Sequence, residues 1–425
     1  MNEDRISKLP EVLILQILSL LPTKSAVVTS VLSKEWKFLW KMIPRLEFDS
    51  CDHKGELGTF SNNVCKSLLS HKAPVLESLH ISFTFDSCDA SDIGMWIGIA
   101  YAQHVRKLVL DVESKGPGRV FPLPRSLYNC EILETLRLTS CLLFLKDSSQ
   151  VCLKSLKTLH LLSMIYDGSF LHLLSGCPNL ENLLFNTSPG YARVAFFPIS
   201  VPSLLRLSFR IQSCNGCSYV INTPSLKYME IEAKHILEFR LIESVTNLVE
   251  ANLYIEYISP MASENLLRSL TSAKRLSLEL APLEIKFPTG IIFNQLVHLE
   301  LYTTREAWWN LLFFMLSDSP NLRVLKLINL ENYWRDGFKS SGKWNHPENF
   351  PKCLLFHLET FTWEGYSKWL VQEEKKVARY ILINAYRLKR ATFSLTDMSS
   401  EESGELIQNL KKVRKASKSC KLMFK

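Results

Sequence analysis

A short phrase, Leu-x-x-Leu-x-Leu or Leu-x-x-Leu-x-Phe, returns along this chain and limits its fold more than any other feature. It is plainest in Leu133-Glu-Thr-Leu136-Arg-Leu138, Leu156-Lys-Thr-Leu159-His-Leu161 and Leu322-Arg-Val-Leu325-Lys-Leu327. The starts Leu133, Leu156, Leu180, Leu204, Leu226 and Leu248 differ by 23, 24, 24, 22 and 22 residues, a step that marks a solenoid. Each copy ends in a period-two pattern, which predicts a short strand with its leucines on one side. One copy cannot bury that side, so copies must stack and bury one another's. Further copies begin at Leu76, Val105, Ala273, Leu296, Leu358 and Leu388, after a possible first strand at Leu46-Glu-Phe-Asp49.

Segments between the predicted strands vary. Helical spacing is present in 60–70 (Val64, Leu68, Leu69), in 170–174 before a Gly-Cys-Pro stop, and in 308–316. Residues 188–225 carry Pro189, Gly190, Pro198, Pro202, Gly216 and Pro224, so extended or 3₁₀ links are expected there in place of helices. Residues 331–349 read as a long loop. Helices at 373–384 and around 405–412 and a last strand at 422–424 complete the pattern.

At 425 residues the chain exceeds one compact core, but a solenoid grows by addition. A net charge of +8 is a mild excess and does not by itself imply nucleic acid. Eleven scattered cysteines do not resemble a disulfide framework and read as reduced apolar residues. Cys214-Asn-Gly-Cys217 lacks the second pair that a zinc site needs. The acidic Met-Asn-Glu-Asp start is no secretory signal, and no apolar run approaches the roughly 20 residues that span a bilayer. These features lead us to expect a cytoplasmic or nuclear protein without metal, cofactor or membrane. No phosphate loop, nucleophile elbow or zinc-protease motif is present, so no catalytic residue is expected. The basic tail from Lys411 to Lys425 reads as a solvated helix face and loop.

Residues 6–44 differ from all that follows. Ser7, Thr23 and Ser33 are candidate caps of three short helices, the first with Leu13, Ile14, Ile17, Leu18 and Leu21 and the third with Trp36, Leu39 and Trp40. Leu9-Pro10-Glu11, Ile17-Leu18-Ser19-Leu20-Leu21-Pro22-Thr23-Lys24, Thr29-Ser30-Val31-Leu32-Ser33-Lys34-Glu35-Trp36 and Leu39-Trp40 resemble a plant F-box, with Glu35 where arginine is common. The resemblance implies that Leu9, Pro10, Ile14, Ile17, Leu18, Leu21, Pro22, Val31, Leu32, Trp36 and Trp40 bind the Skp-type adaptor of a Skp–cullin–F-box ubiquitin ligase. Ile17 and Leu32 read equally as interface or as filling for the module's own core.

The repeats resemble plant F-box leucine-rich repeats. The Pro351-Lys-Cys-Leu354, Glu364-Gly-Tyr366 and Tyr380-Ile-Leu-x-Asn-Ala385 phrases resemble the FBD domain that follows them. The expected fold is therefore α/β. A three-helix F-box (1–45) leads into a right-handed leucine-rich-repeat solenoid with a curved, largely parallel sheet on its concave face (46–345), closed by an FBD-like cap (346–425). Substrate contacts are expected on that face from Arg137, His160, Arg206, Arg210, Glu230, Glu232, Tyr254, Arg275, Glu279, His298, Glu300, Tyr302 and Lys326. Their mixed charge suits a protein partner rather than phosphates. The expected function is recruitment of a protein substrate for ubiquitination; the alternative is a binding scaffold acting without a cullin.

Overall fold

The computed structural model describes residues 9–34, 36–52, 58–84, 87–113, 125–140, 151–164, 169–187, 196–211, 218–234, 238–241, 247–280, 285–303, 308–329, 350–366, 372–396 and 399–425. Ser7, Glu35, the Cys214–Cys217 pair and the loop expected over 331–349 lie outside them. The chain forms two compact units, residues 1–194 and 195–425.

The first unit opens with helices α1 (Glu11–Leu18), α2 (Thr23–Val28) and α3 (Trp36–Leu39). Ser33 Oγ accepts the Trp36 N–H at 3.2 Å, the expected cap. Thr23 does not cap: Pro22 holds that position, and Thr23 Oγ1 accepts the N–H of Glu47 at 2.7 Å in the strand that follows. Six strands come next: β1 (Arg45–Asp49), β2 (Ser78–Thr84), β3 (Lys107–Glu113), β4 (Thr135–Thr139), β5 (Thr158–Met164) and β6 (Asn182–Thr187). They pair in chain order, all parallel. Helices α4 (Thr59–Ser70), α5 (Ala90–Ala102) and α6 (Ser169–Ser175) lie between strands. The α5 start carries a capping box in which Asp89 and Asp92 each accept the other's backbone N–H.

Register turns the phrase into two apolar ladders. Leu46, Leu79, Leu108, Leu136, Leu159 and Leu183 stand side by side across β1 to β6, and Phe48, Ile81, Leu110, Leu138, Leu161 and Phe185 form the second row. All twelve are buried. Each leucine therefore has its flanks covered only because neighbouring strands carry leucine at the same height.

The second unit continues the design. Its main sheet runs β8 (Arg206–Ile211), β10 (Tyr228–Ala233), β12 (Glu250–Ile255), β13 (Arg275–Leu280), β14 (His298–Tyr302), β15 (Val324–Ile328), β16 (Thr360–Tyr366), β17 (Arg390–Leu395) and β18 (Lys421–Phe424), again parallel. Where prolines exclude helices, β7 (Phe196–Ser200), β9 (Ser218–Asn222) and β11 (Glu238–Leu241) form a second, three-stranded parallel sheet. The extended links are thus paired strands. Pro198 sits in β7, an edge strand, where its missing N–H costs little. Tyr219 of β9 stacks on Phe197 at 5.0 Å and on Phe209 of β8 at 5.2 Å, so rings fill the space that helices fill elsewhere.

Helix α7 (Pro260–Ser269) is capped by Ser259, and α8 (Trp308–Asp318) covers the sheet with Trp308 against Trp363. After α9 (Lys352–Phe356), helices α10 (Gln372–Asn384) and α11 (Ser400–Lys411) alternate with β16 to β18, so the last seventy-odd residues extend the sheet by three more strands. Lys421 opens the edge strand β18 and Lys425 follows it, a charge placement that discourages pairing with another sheet.

Gly365 explains one phrase of the sequence. It lies at φ +74° in a bulge between Glu364 and Tyr366, and a Cβ there would run into the Asn329 carbonyl. Gly365→Ala combines a left-handed backbone with that clash and should destabilise the chain by about 1–3 kcal/mol. Chemical denaturation of the full chain checks this; an unchanged midpoint would contradict it.

Candidate docking surfaces

The F-box helices divide their apolar residues into two sets. Ile14, Leu18, Ala26, Trp36 and Ile43 form the module's core, with Leu9, Leu39 and Trp40 packed partly against it. Helix α1 is apolar on its other side as well, and a helix apolar all round is one that expects cover on both sides. That second set is exposed: Leu13, Ile17 and Leu21 on and after α1, with Val12, Leu20, Val28, Val31, Leu32 and Phe38. Leu20 and Val31 are 82% and 81% exposed. So many large apolar side chains left in water within one small module mark it as an interaction site.

Of the residues expected at the adaptor, Pro10, Ile17, Leu21, Pro22, Val31 and Leu32 are exposed, and Leu9 and Trp40 are partly buried. Ile14, Leu18 and Trp36 are 5%, 1% and 5% exposed and hold the helices together from the module's core. Ile17 and Leu32, read equally as core or interface, fall outside the core. Val12, Leu13, Leu20, Val28 and Phe38 are exposed as well and were not among the expected residues; on α1, apolar spacing alone does not announce which side faces inward.

The module is fixed to the first strands. Besides the Thr23–Glu47 bond, the N–H of Lys72 donates to the Lys41 carbonyl at 2.8 Å and that of Ser78 to the Pro44 carbonyl at 3.2 Å. The buried His71 ring contacts the Ile43 carbonyl at 2.8 Å through Nε2, and burial pushes its pKa down, so it sits there neutral. Lys24 Nζ donates to the Asp52 carbonyl at 2.7 Å.

The strands leave their second side chain open, opposite the leucines. In the first unit Arg137 and His160 are register partners. Burial, Arg137 and Lys107 together push the His160 pKa down. Beside them lies a cluster that the expectation omitted, although His80 and Asp111 occupy the same alternating positions. His80 Nε2 meets Asp111 Oδ2 at 2.8 Å and its Nδ1 stands 3.5 Å from Glu47. Thr139 Oγ1 donates to Asp111 at 2.6 Å, and Arg137 approaches to 3.7 Å. The hydrogen bond to Asp111 raises the His80 pKa, and the same bond lowers that of Asp111.

In the second unit Arg206 lies over the Tyr228 ring at 3.7 Å and Arg210 pairs with Glu232 at 2.5 Å. Glu230 accepts from Ser208 Oγ at 3.0 Å. Tyr254 and Tyr302 meet edge to face at 5.4 Å across the strand that carries Glu279. Arg275 is the register partner of His298, and the His298 ring lies 3.1 Å from Glu300. Lys326 pairs with Glu364 at 3.0 Å. Within each unit the expected face residues thus lie on the side of the strands opposite the leucines.

Among the described residues no group of three His, Cys, Asp or Glu side chains could hold a metal ion, and no helix is long and apolar enough to cross a membrane. None of the described cysteines forms a disulfide, and burial pushes the Cys177 and Cys353 thiols up to about 12, far from reactive.

A three-helix module with an uncovered apolar face, joined to stacked leucine repeats with polar open faces, defines a binding protein of the F-box, leucine-rich-repeat class. Family comparisons agree. Residues 6–48 match the F-box domain, residues 93–239 match the repeats of FBD-associated F-box protein At5g56370, and residues 346–393 match FBD. Three Arabidopsis thaliana F-box/FBD/LRR-repeat proteins are similar over the whole chain. At4g13965 is 51% identical and At3g52680 and At4g00160 are 48% identical, covering 100% of this chain and 97%, 94% and 95% of their own lengths. The chain belongs to the F-box/FBD/LRR-repeat family, whose members are generally adaptors rather than enzymes.

The His80–Asp111 pair gives stability a pH dependence. The raised histidine pKa supplies stability that is full below the unfolded value, about 6.5, and is lost as pH rises through the folded one. The lowered Asp111 pKa supplies stability present above the unfolded value, about 3.9, and lost on acidification. The pair is therefore strongest between about pH 4 and 6.5. His80→Gln should lose less melting temperature between pH 6 and pH 8.5 than the parent chain. Equal losses would show that the pair contributes nothing.

Proposed function

We propose that this protein is the substrate receptor of a Skp–cullin–F-box ubiquitin ligase. Its F-box takes a Skp-type adaptor, and through it a cullin, while the repeats take a protein substrate for ubiquitin-dependent degradation. The observation that carries this reading is the uncovered apolar face made by α1 and the turns after α1 and α2, above all Leu20, Val31 and Leu32. Fully burying a side chain of this size contributes about 1.5–3 kcal/mol, so a few such residues supply the core of a stable interface. Ile14, Leu18 and Trp36 serve the interface from beneath, by fixing the helices that present it.

The receptor itself performs no bond chemistry in this reading. It raises the rate of ubiquitin transfer by holding substrate near the charged conjugating enzyme, which is a gain in effective concentration. The bonds that tie the F-box to β1 and β2 support that role, since they keep adaptor and first repeats in one geometry. A cytoplasmic or nuclear setting goes with this activity.

Co-purification with a Skp-type adaptor tests the reading. The full chain should retain the adaptor, and the double substitution Leu20→Asp, Val31→Asp should weaken retention about tenfold or more without moving the unfolding midpoint. Leu18→Ala should instead lower stability by about 2–5 kcal/mol, as loss of a buried leucine does. Failure of the parent chain to hold any adaptor, where another F-box protein does, would leave a scaffold acting without a cullin.

A further inference from the structure

One stretch of the second unit's open face, between Arg206 and Arg210 of β8 and Lys326 of β15, has a local charge opposite to that of the chain. Across β10, β12, β13 and β14 the outward positions hold Glu230, Glu232, Glu250, Glu279 and Glu300 against the single arginine Arg275, in a protein whose net charge is +8. Tyrosines stand among the glutamates. Tyr254 and Tyr302 bring their rings to 5.4 Å over the strand between them, and their hydroxyls are hydrogen-bonded.

At one end of the same face, the structure shows what such a surface binds. Arg206 of β8 lays its guanidinium 3.7 Å from the centre of the Tyr228 ring, and Arg210, two residues on, reaches Glu232. One strand thus supplies two guanidinium groups to a tyrosine and a glutamate of its neighbour. Among the described residues no cation stacks on Tyr254 or Tyr302, so the second tyrosine site lacks what the first has.

A separate observation points to the same place. Ser277 faces outward on β13, between Asn252 and Glu300 in register. It is 5% exposed, and its hydroxyl has no hydrogen-bond partner among the described residues. Buried hydroxyls are nearly always satisfied, so the Ser277 hydroxyl is a donor and acceptor that a polar group brought to this face can use.

We propose that the face across β12, β13 and β14 binds an arginine-bearing extended segment of a partner protein. An arginine guanidinium stacks on the Tyr254–Tyr302 pair, and Glu279 and Glu300 supply the countercharge. Arginine is preferred over lysine because a planar guanidinium stacks on a ring and hydrogen-bonds a carboxylate together, as Arg206 and Arg210 do side by side. Glu300 exchanges its contact with His298 for the incoming charge, and the Ser277 hydroxyl beside it in register offers a further hydrogen bond. The inference rests on the receptor reading and deepens it, since it gives the substrate a chemistry: an exposed arginine-containing strand or loop.

A fluorescent nonapeptide of alternating glycine and arginine is the probe, with lysine and glutamate counterparts, titrated into the full chain. The arginine peptide should bind more tightly than the lysine one, and the glutamate one should not bind. Glu279→Gln with Glu300→Gln should weaken binding about tenfold, and Tyr302→Ala by about threefold to tenfold, while Tyr302→Phe keeps the ring and most of the affinity. No binding of the arginine peptide, or affinity indifferent to these substitutions, would overturn the proposal. A lysine peptide bound as tightly as the arginine one would overturn the stacking part. Adaptor retention by the same samples separates the outcomes: retention without peptide binding sinks this inference and leaves the receptor reading standing.

Discussion

Each strand of this protein depends on leucines that it does not own. Parallel strands pair in register, so the first buried residue of every repeat lies beside its counterpart on either side, and the ladders Leu46 to Leu183 and Leu207 to Leu325 are built from that alone. A single repeat would leave half of its leucine surface in water; two neighbours remove it. The same rule reaches both ends of the chain. The F-box enters the array through β1, where Thr23 and His71 accept or hold the backbone, and the FBD segment enters through β16, β17 and β18. Neither is an appendage.

The buried face is uniform and the open face is free to vary. Leucine at alternate positions leaves the intervening ones without a structural duty, so they carry whatever binding requires. That freedom explains how His80 meets Asp111 in one unit while Tyr254 meets Tyr302 in the other, on strands that look alike from behind. The F-box works the other way. Many of its exposed residues are apolar and its framework is too, so burial rather than residue type separates Leu20 from Leu18.

Much of this was legible in the sequence where spacing carries the information. From Leu76 to Leu388 each described strand of the main sheets begins two residues after the first leucine, valine or alanine of its phrase, because that residue closes the preceding turn and the period-two stretch starts behind it. Helices α6, α8 and α10 stand where the pattern puts them, and α11 starts at Ser400, ahead of the stretch expected around 405–412. Helices α5 and α7 did not appear in the reading, although Asp89 with Asp92 and Ser259 with Pro260 are ordinary start signals. The second sheet was only half visible. Prolines ruled out helices between Pro189 and Pro224, but strand pairing among β7, β9 and β11 is a relation between distant segments, which local spacing cannot express. The same limit applied to the docking surfaces. Periodicity found Leu13, Ile14, Ile17, Leu18 and Leu21 together and could not say that Ile14 and Leu18 turn inward. It found Tyr254 and Glu279 without the register that puts them side by side.

In the proposed function the F-box supplies an apolar face to be covered and the repeats supply polar faces that discriminate. Hydrogen exchange of the full chain, with and without a Skp-type adaptor, tests the first task most directly. Amides of α1 and of the turns through Leu32 should slow when adaptor is added, and those of the repeat strands should keep their own rates. Protection confined to the repeats, or none over residues 11–32 at adaptor concentrations that saturate another F-box protein, would contradict it.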